Sequence, residues 1–94
     1  MARLPTLSVG DVRRLLTNAE FRHKRTESSH EHWEGYVRGR RRMVTIDHND
    51  APFTSRNRTL YSMIRQSGLS KAEWLRLLNG EQLPICGWPE KEPS

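Results

Sequence analysis

The stretch Phe21-Arg22-His23-Lys24-Arg25-Thr26-Glu27-Ser28-Ser29-His30-Glu31-His32-Trp33-Glu34-Gly35-Tyr36-Val37, continued by Arg38-Gly39-Arg40-Arg41-Arg42-Met43-Val44-Thr45-Ile46, decides the fold. Its side chains change character every second residue, the period of a β-strand. Phe21, His23 and Arg25 alternate with Arg22, Lys24 and Thr26, and Glu27-Ser28-Ser29 supplies a turn. From His30 to Val37, Glu31, Trp33, Gly35 and Val37 oppose His30, His32, Glu34 and Tyr36. With Trp33 and Val37 turned to a core, His30 and His32 point together to the opposite face. Arg38-Gly39-Arg40-Arg41 reads as a hairpin turn with Gly39 at positive φ, and Met43–Ile46 as a third strand.

Outward from these strands the signals are helical. Residues 1–7 are expected to be extended, because Pro5 lacks a backbone donor and restrains Leu4. Ser8 with Asp11 forms a capping-box start, and Val9, Val12, Leu15, Leu16 and Ala19 recur at helical spacing, so a first helix is expected over 8–19. Asp47 to about Asn57 is a loop rich in turn formers. Thr59 is the expected cap of a second helix with Leu60, Met63 and Ile64 inward and Gly68 as its stop. Ser70 and Glu73 make a full capping box for a third helix to Leu78, with Trp74, Leu75 and Leu78 buried, ended by Asn79-Gly80. Residues 81–94 carry three prolines and no periodicity. They read as a Pro-rich tail, pinned by Leu83, Ile85 and Trp88, behind a single domain over 1–80. The order α-β-β-β-α-α predicts an α+β fold, a three-stranded antiparallel sheet with helices on one face and the other face open.

Ninety-four residues hold one modest core. The formal net charge of +5 comes almost entirely from arginine, 13 Arg against 3 Lys. Guanidinium groups match phosphate bidentately, so the bias points to a polyanionic partner, although a solvated basic surface has the same composition. The single cysteine, Cys86, excludes an internal disulfide and paired-Cys zinc patterns. No apolar run approaches a membrane span, and a cytoplasmic protein is expected.

Two imidazoles between Arg22, Lys24 and Arg25 on one side and Arg38, Arg40, Arg41 and Arg42 on the other place proton-transfer groups in a phosphate-attracting field. Metal-free RNA cleavage needs a base for the 2′-hydroxyl, an acid for the leaving 5′-oxygen and cations for the phosphate, and these residues supply all three. His30 and His32 are the catalytic candidates. Arg22, Lys24, Arg25, Ser29, Arg38, Arg40, Arg41 and Arg42 are the candidate RNA contacts. Two plain surface histidines on a basic strand would have the same spacing. His30, His32 and His48 also form a conceivable three-histidine zinc set, but the surrounding arginines disfavour a cation, and neither metal nor cofactor is expected. No Walker loop, dinucleotide fingerprint or H-E-x-x-H motif is present.

The whole pattern resembles the HicA toxin family. The resemblance covers about residues 10–79: a Leu/Arg-rich helix, Ala19-x-Phe21, Ser29-His30, Arg41-Arg42-Met43-Val44-Thr45-Ile46, a His-containing loop, and Thr59-Leu60-Tyr61-Ser62-Met63-Ile64-Arg65-Gln66-Ser67-Gly68-Leu69-Ser70. It implies a double-stranded-RNA-binding-domain-like fold, a toxin of a toxin–antitoxin pair that cleaves mRNA, and a HicB-like antitoxin covering the active face. His30 stands at the position of that family's catalytic histidine. The chain departs from the pattern at Ser28 and Glu20, where the family has Gly, at Glu27, where a basic residue is common, and at Asp47, where Pro is common. Two rival readings are a non-catalytic RNA-binding module on the same fold and a protein-interaction domain with an acidic partner.

Overall fold

Helix α1, Val9–Asn18, begins at the expected capping box: Ser8 Oγ accepts from Asp11 N at 3.0 Å, and Asp11 Oδ2 accepts from Ser8 N at 2.9 Å. In this computed structural model, which describes residues 4–89, the chain continues through β1 (Arg22–Glu27), β2 (His30–Val37), β3 (Arg40–Asp47), a 3-10 turn (His48–Asp50), α2 (Arg58–Ser67) and α3 (Lys71–Leu78). The three strands form one antiparallel sheet in the order β1-β2-β3. This is the predicted α+β arrangement.

The register explains both faces. Trp33 lies opposite Val44, and Glu31 opposite Ile46, on the face covered by helices. There Val12, Leu15 and Leu16 of α1, Leu60 and Met63 of α2, and Trp74 and Leu77 of α3 close over Trp33, Val37, Val44 and Ile46. The helical layer covers β2 and β3 only, and every residue of β1 is exposed. Phe21, just before β1, is buried against Gly35, where an added Cβ would stand 2.5 Å from the phenyl ring. Only glycine lets the aromatic ring lie that close to the strand.

Several boundaries differ from expectation. Arg38 and Gly39 both take positive φ, +52° and +75°, which makes a two-residue hairpin turn and lets β3 begin at Arg40 rather than Met43. Asn57, not Thr59, caps α2: its side chain accepts from Thr59 N at 2.8 Å, while the Thr59 hydroxyl donates to Asp50. Gly68 takes the left-handed conformation expected of it, φ +74°. Ser70 and Glu73 form both capping-box bonds of α3. The buried line of α3 is Trp74 and Leu77, with Leu75 and Leu78 at its margins, because α3 packs on α1 through Leu77, whose carbonyl accepts from Asn18 Nδ2.

Both flanking segments are tied to the body. Leu7 and Phe53 exchange backbone hydrogen bonds of 2.8 and 2.7 Å and are buried together. In the expected tail, Arg38 N donates to Ile85 O, Gly87 N donates to Tyr36 O, and Cys86 bridges Val37 on the flank of β2 beyond the start of β1. Leu83 and Cys86 are buried, Ile85 is half-buried, and Trp88 Nε1 donates to Glu20 O at 2.7 Å. The outer parts of the lead-in and tail, residues 1–3 and 90–94, lie outside the described residues.

Candidate active site

The β1–β2 turn is built to hold His30. Ser28 takes positive φ, and Ser29 O accepts from His48 N at 2.9 Å. Ser29 Oγ donates to Asp47 Oδ1 at 3.2 Å and accepts from Asn49 Nδ2 at 3.0 Å. Asp47 Oδ1 also accepts from Asn49 N at 3.0 Å, so the carboxylate is held from two sides. Its other oxygen stands 3.3 Å from His30 Nε2. His30 is 46% exposed, directly opposite Asp47 across the β2–β3 pair. Ser29, a candidate RNA contact, is thus half-buried within the turn that fixes Asp47.

His32 lies on the same face, 22% exposed, with Nδ1 3.1 Å from Thr45 Oγ1 and Nε2 3.5 Å from Glu27 Oε1. A β-bulge between His23 and Arg25 shifts the phase of β1. Simple alternation groups Arg25 with Phe21 and His23, whereas the bulge places it directly opposite His32 on the open face. Arg22 lies opposite Glu34, Lys24 Nζ is 3.8 Å from Glu34 Oε1, and Arg25 Nε bonds Glu27 at 2.5 Å. His30 and His32 therefore each have a carboxylate beside them, Asp47 and Glu27.

The second basic cluster does not surround the histidines. Arg38 donates to Gly68 O and pairs with Glu73 of α3. Arg42, opposite Gly35 on the helix-covered side, packs against Gly68, and its Nε is buried without a hydrogen-bond partner. Arg40 lies opposite Val37 on that same side. Only Arg41 shares the open face, opposite Tyr36 and paired with Glu34, six positions along β2 from His30. Strand alternation separates the four, and two serve helix ends. Among the described residues the open face thus carries four cations, Arg22, Lys24, Arg25 and Arg41, against three carboxylates, Glu27, Glu34 and Asp47.

Glu31 was placed in the inward row without a role, and it is the centre of a buried network. Only 3% exposed, it pairs with the Arg13 guanidinium, accepts from Trp33 Nε1 at 3.0 Å, and lies 2.5 Å from His48 Nε2. The Arg13 hydrogen bonds hold its carboxyl well below the usual range, at about 2. His48 is engaged there, away from the open face of His30 and His32, so the conceivable three-histidine set is not assembled. No group of three or more His, Cys, Asp or Glu that could hold a metal occurs among the described residues.

At the far end of the open face the C-terminal segment adds an aromatic group. Trp88 meets Tyr36 edge to face at 5.0 Å, and the Arg22 guanidinium lies 4.0 Å over the Trp88 ring. Trp33, by contrast, is buried on the helix side, where His23 meets it edge-on. Among the described residues no helix is long and apolar enough to cross a membrane. Compared with family models, curated proteins and solved structures, the chain matches none.

Proposed function

We propose that the chain is a metal-independent endoribonuclease that cleaves mRNA in the cytoplasm, the toxin of a toxin–antitoxin pair, with His30 as catalytic histidine. The observation that carries this reading is His30 itself, an exposed imidazole beside a carboxylate that Ser29 and Asn49 fix in place. A neighbouring carboxylate orients the ring and stabilises the imidazolium formed during proton transfer. His32 is the second proton-transfer group and Arg25, directly across from it, the phosphate contact. One imidazole takes the 2′-hydroxyl proton, and the 2′-oxygen attacks phosphorus. The P–O5′ bond breaks as the other imidazole protonates the 5′-oxygen, leaving a 2′,3′-cyclic phosphate. A small antitoxin would silence the enzyme by covering His30.

Cleavage of a single-stranded RNA in excess EDTA, followed between about pH 5 and 9, tests the reading. Activity persists in EDTA, varies with pH as acid–base catalysis requires and yields cyclic phosphate ends. Loss in EDTA with recovery on Zn²⁺ overturns the metal-free mechanism. Binding with no cleavage of any RNA leaves the fold as a non-catalytic RNA-binding module.

A further inference from the structure

The positive charge of this chain is not concentrated where the histidines are. Among the described residues, three carboxylates nearly balance four cations on the open face, and elsewhere Arg13, Arg14, Arg38 and Arg76 each pair with a carboxylate. Besides Arg40 and Arg42 of β3, four cations, Arg56, Arg58, Arg65 and Lys71, make no ion pair among the described residues. Arg58 and Arg65 lie on the outer face of α2, Lys71 lies against its Tyr61, Arg56 precedes its first turn, and all four are exposed. Asp50, at the head of this helix, accepts from the Thr59 hydroxyl instead of pairing with an arginine.

The same helix face carries a cleft of about 400 Å³ lined by Arg58, Tyr61, Ser62 and Arg65. These positions follow one another at i, i+3, i+4 and i+7, so they share one side of the helix. Tyr61 is the large hydrophobic residue left exposed among the described residues, at 43%. Lys71 Nζ stands 4.7 Å over its ring and 3.4 Å from its hydroxyl. Two guanidinium groups, a hydroxyl donor and an exposed aromatic ring form a lining that suits a phosphate and a planar base. No aliphatic side chain lines it, as one would in an ordinary small-molecule pocket.

One turn along from Ser62, the flank of α2 reaches the sheet. Gln66 Oε1 accepts from Thr45 N at 3.0 Å on the free edge of β3, opposite the His32 position of β2. A strand leaving the open face across that edge therefore meets α2 next.

We propose that the outer face of α2 is a second nucleic-acid site, in which Arg58 and Arg65 bind backbone phosphates of single-stranded RNA and Tyr61 stacks on a base. The proposal rests on the ribonuclease reading for its substrate, the RNA that His30 cuts. The α2 site holds the strand beyond the cleavage point and adds affinity without sequence choice, since phosphate contacts position a strand and carry no base information.

The test uses the full chain bearing His30→Ala, so that RNA is not consumed, and an oligouridylate titrated at several salt concentrations. Adding R58A and R65A to this background lowers the slope of log affinity against log salt by about 1.4, two contacts at about 0.7 each. Both positions are exposed on a helix and alanine is the better helix former, so folding, checked by circular dichroism, is retained. A slope unchanged by this pair but lowered by R22A with R25A overturns the α2 site and leaves the ribonuclease reading standing. No oligouridylate binding by the parent protein overturns both. Poly-glutamate bound as tightly as oligouridylate, and released by the same pair, overturns RNA as occupant in favour of an acidic protein.

Discussion

Replacing His30 by alanine lowers the rate of RNA cleavage by about 10²–10⁴-fold, the usual contribution of one positioned acid or base, and leaves RNA affinity nearly unchanged. The separation follows from where the residue sits. His30 is exposed at the end of β2, and its Asp47 partner is held independently by Ser29 Oγ and Asn49 N, so removing the imidazole does not loosen the turn. Gel-based cleavage beside equilibrium binding by anisotropy checks both halves. A variant that loses affinity in proportion to rate would make His30 a binding residue rather than a proton-transfer group.

A large effect on stability is expected at Arg13. Arg13→Ala leaves the buried Glu31 carboxylate with only Trp33 Nε1 and His48, and taking the main cationic partner from a buried charge costs about 3 kcal/mol. For a domain of this size that lowers Tm by roughly 12–24 °C. Glu31→Gln costs less, because Arg13 is about half exposed and water can solvate it. The pair also governs acid sensitivity. The fold holds the Glu31 carboxyl down at about 2, so its stabilisation is complete above the ordinary glutamate range and is lost as pH falls toward that value. Thermal melts between about pH 2 and 6 should therefore show a steeper acid loss in the native chain than in Arg13→Ala.

What the sequence made legible was what neighbouring residues decide. Ser8 with Asp11 and Ser70 with Glu73 are local pairs, and both boxes form as read. Gly39 and Gly68 adopt the positive φ their turns require. The even row of β2 faces outward because alternation is a local property too. The features that went unread are tertiary. Glu31 meets Arg13 from 18 residues upstream and His48 from 17 downstream, and no short spacing encodes such a meeting. Asp47 looked like a turn former, and its place beside His30 depends on the β2–β3 register. Arg25 was assigned by simple alternation, which one bulge overrides. The four arginines from Arg38 to Arg42 looked like one cluster along the chain, yet strand geometry sends them to different faces.

The C-terminal segment has a consequence for experiment. Cys86 is the chain's single thiol, and it is buried where the segment bridges Val37. Burial raises its pKa to about 11, so it presents almost no thiolate at neutral pH while docked. An alkylating reagent can therefore modify the native protein only at moments when residues 83–87 lift away. The rate of that reaction would measure the local opening free energy of this strip of chain without any engineered label. Because the strip carries Trp88 over Tyr36, the same rate would report how often the aromatic end of the open face comes apart.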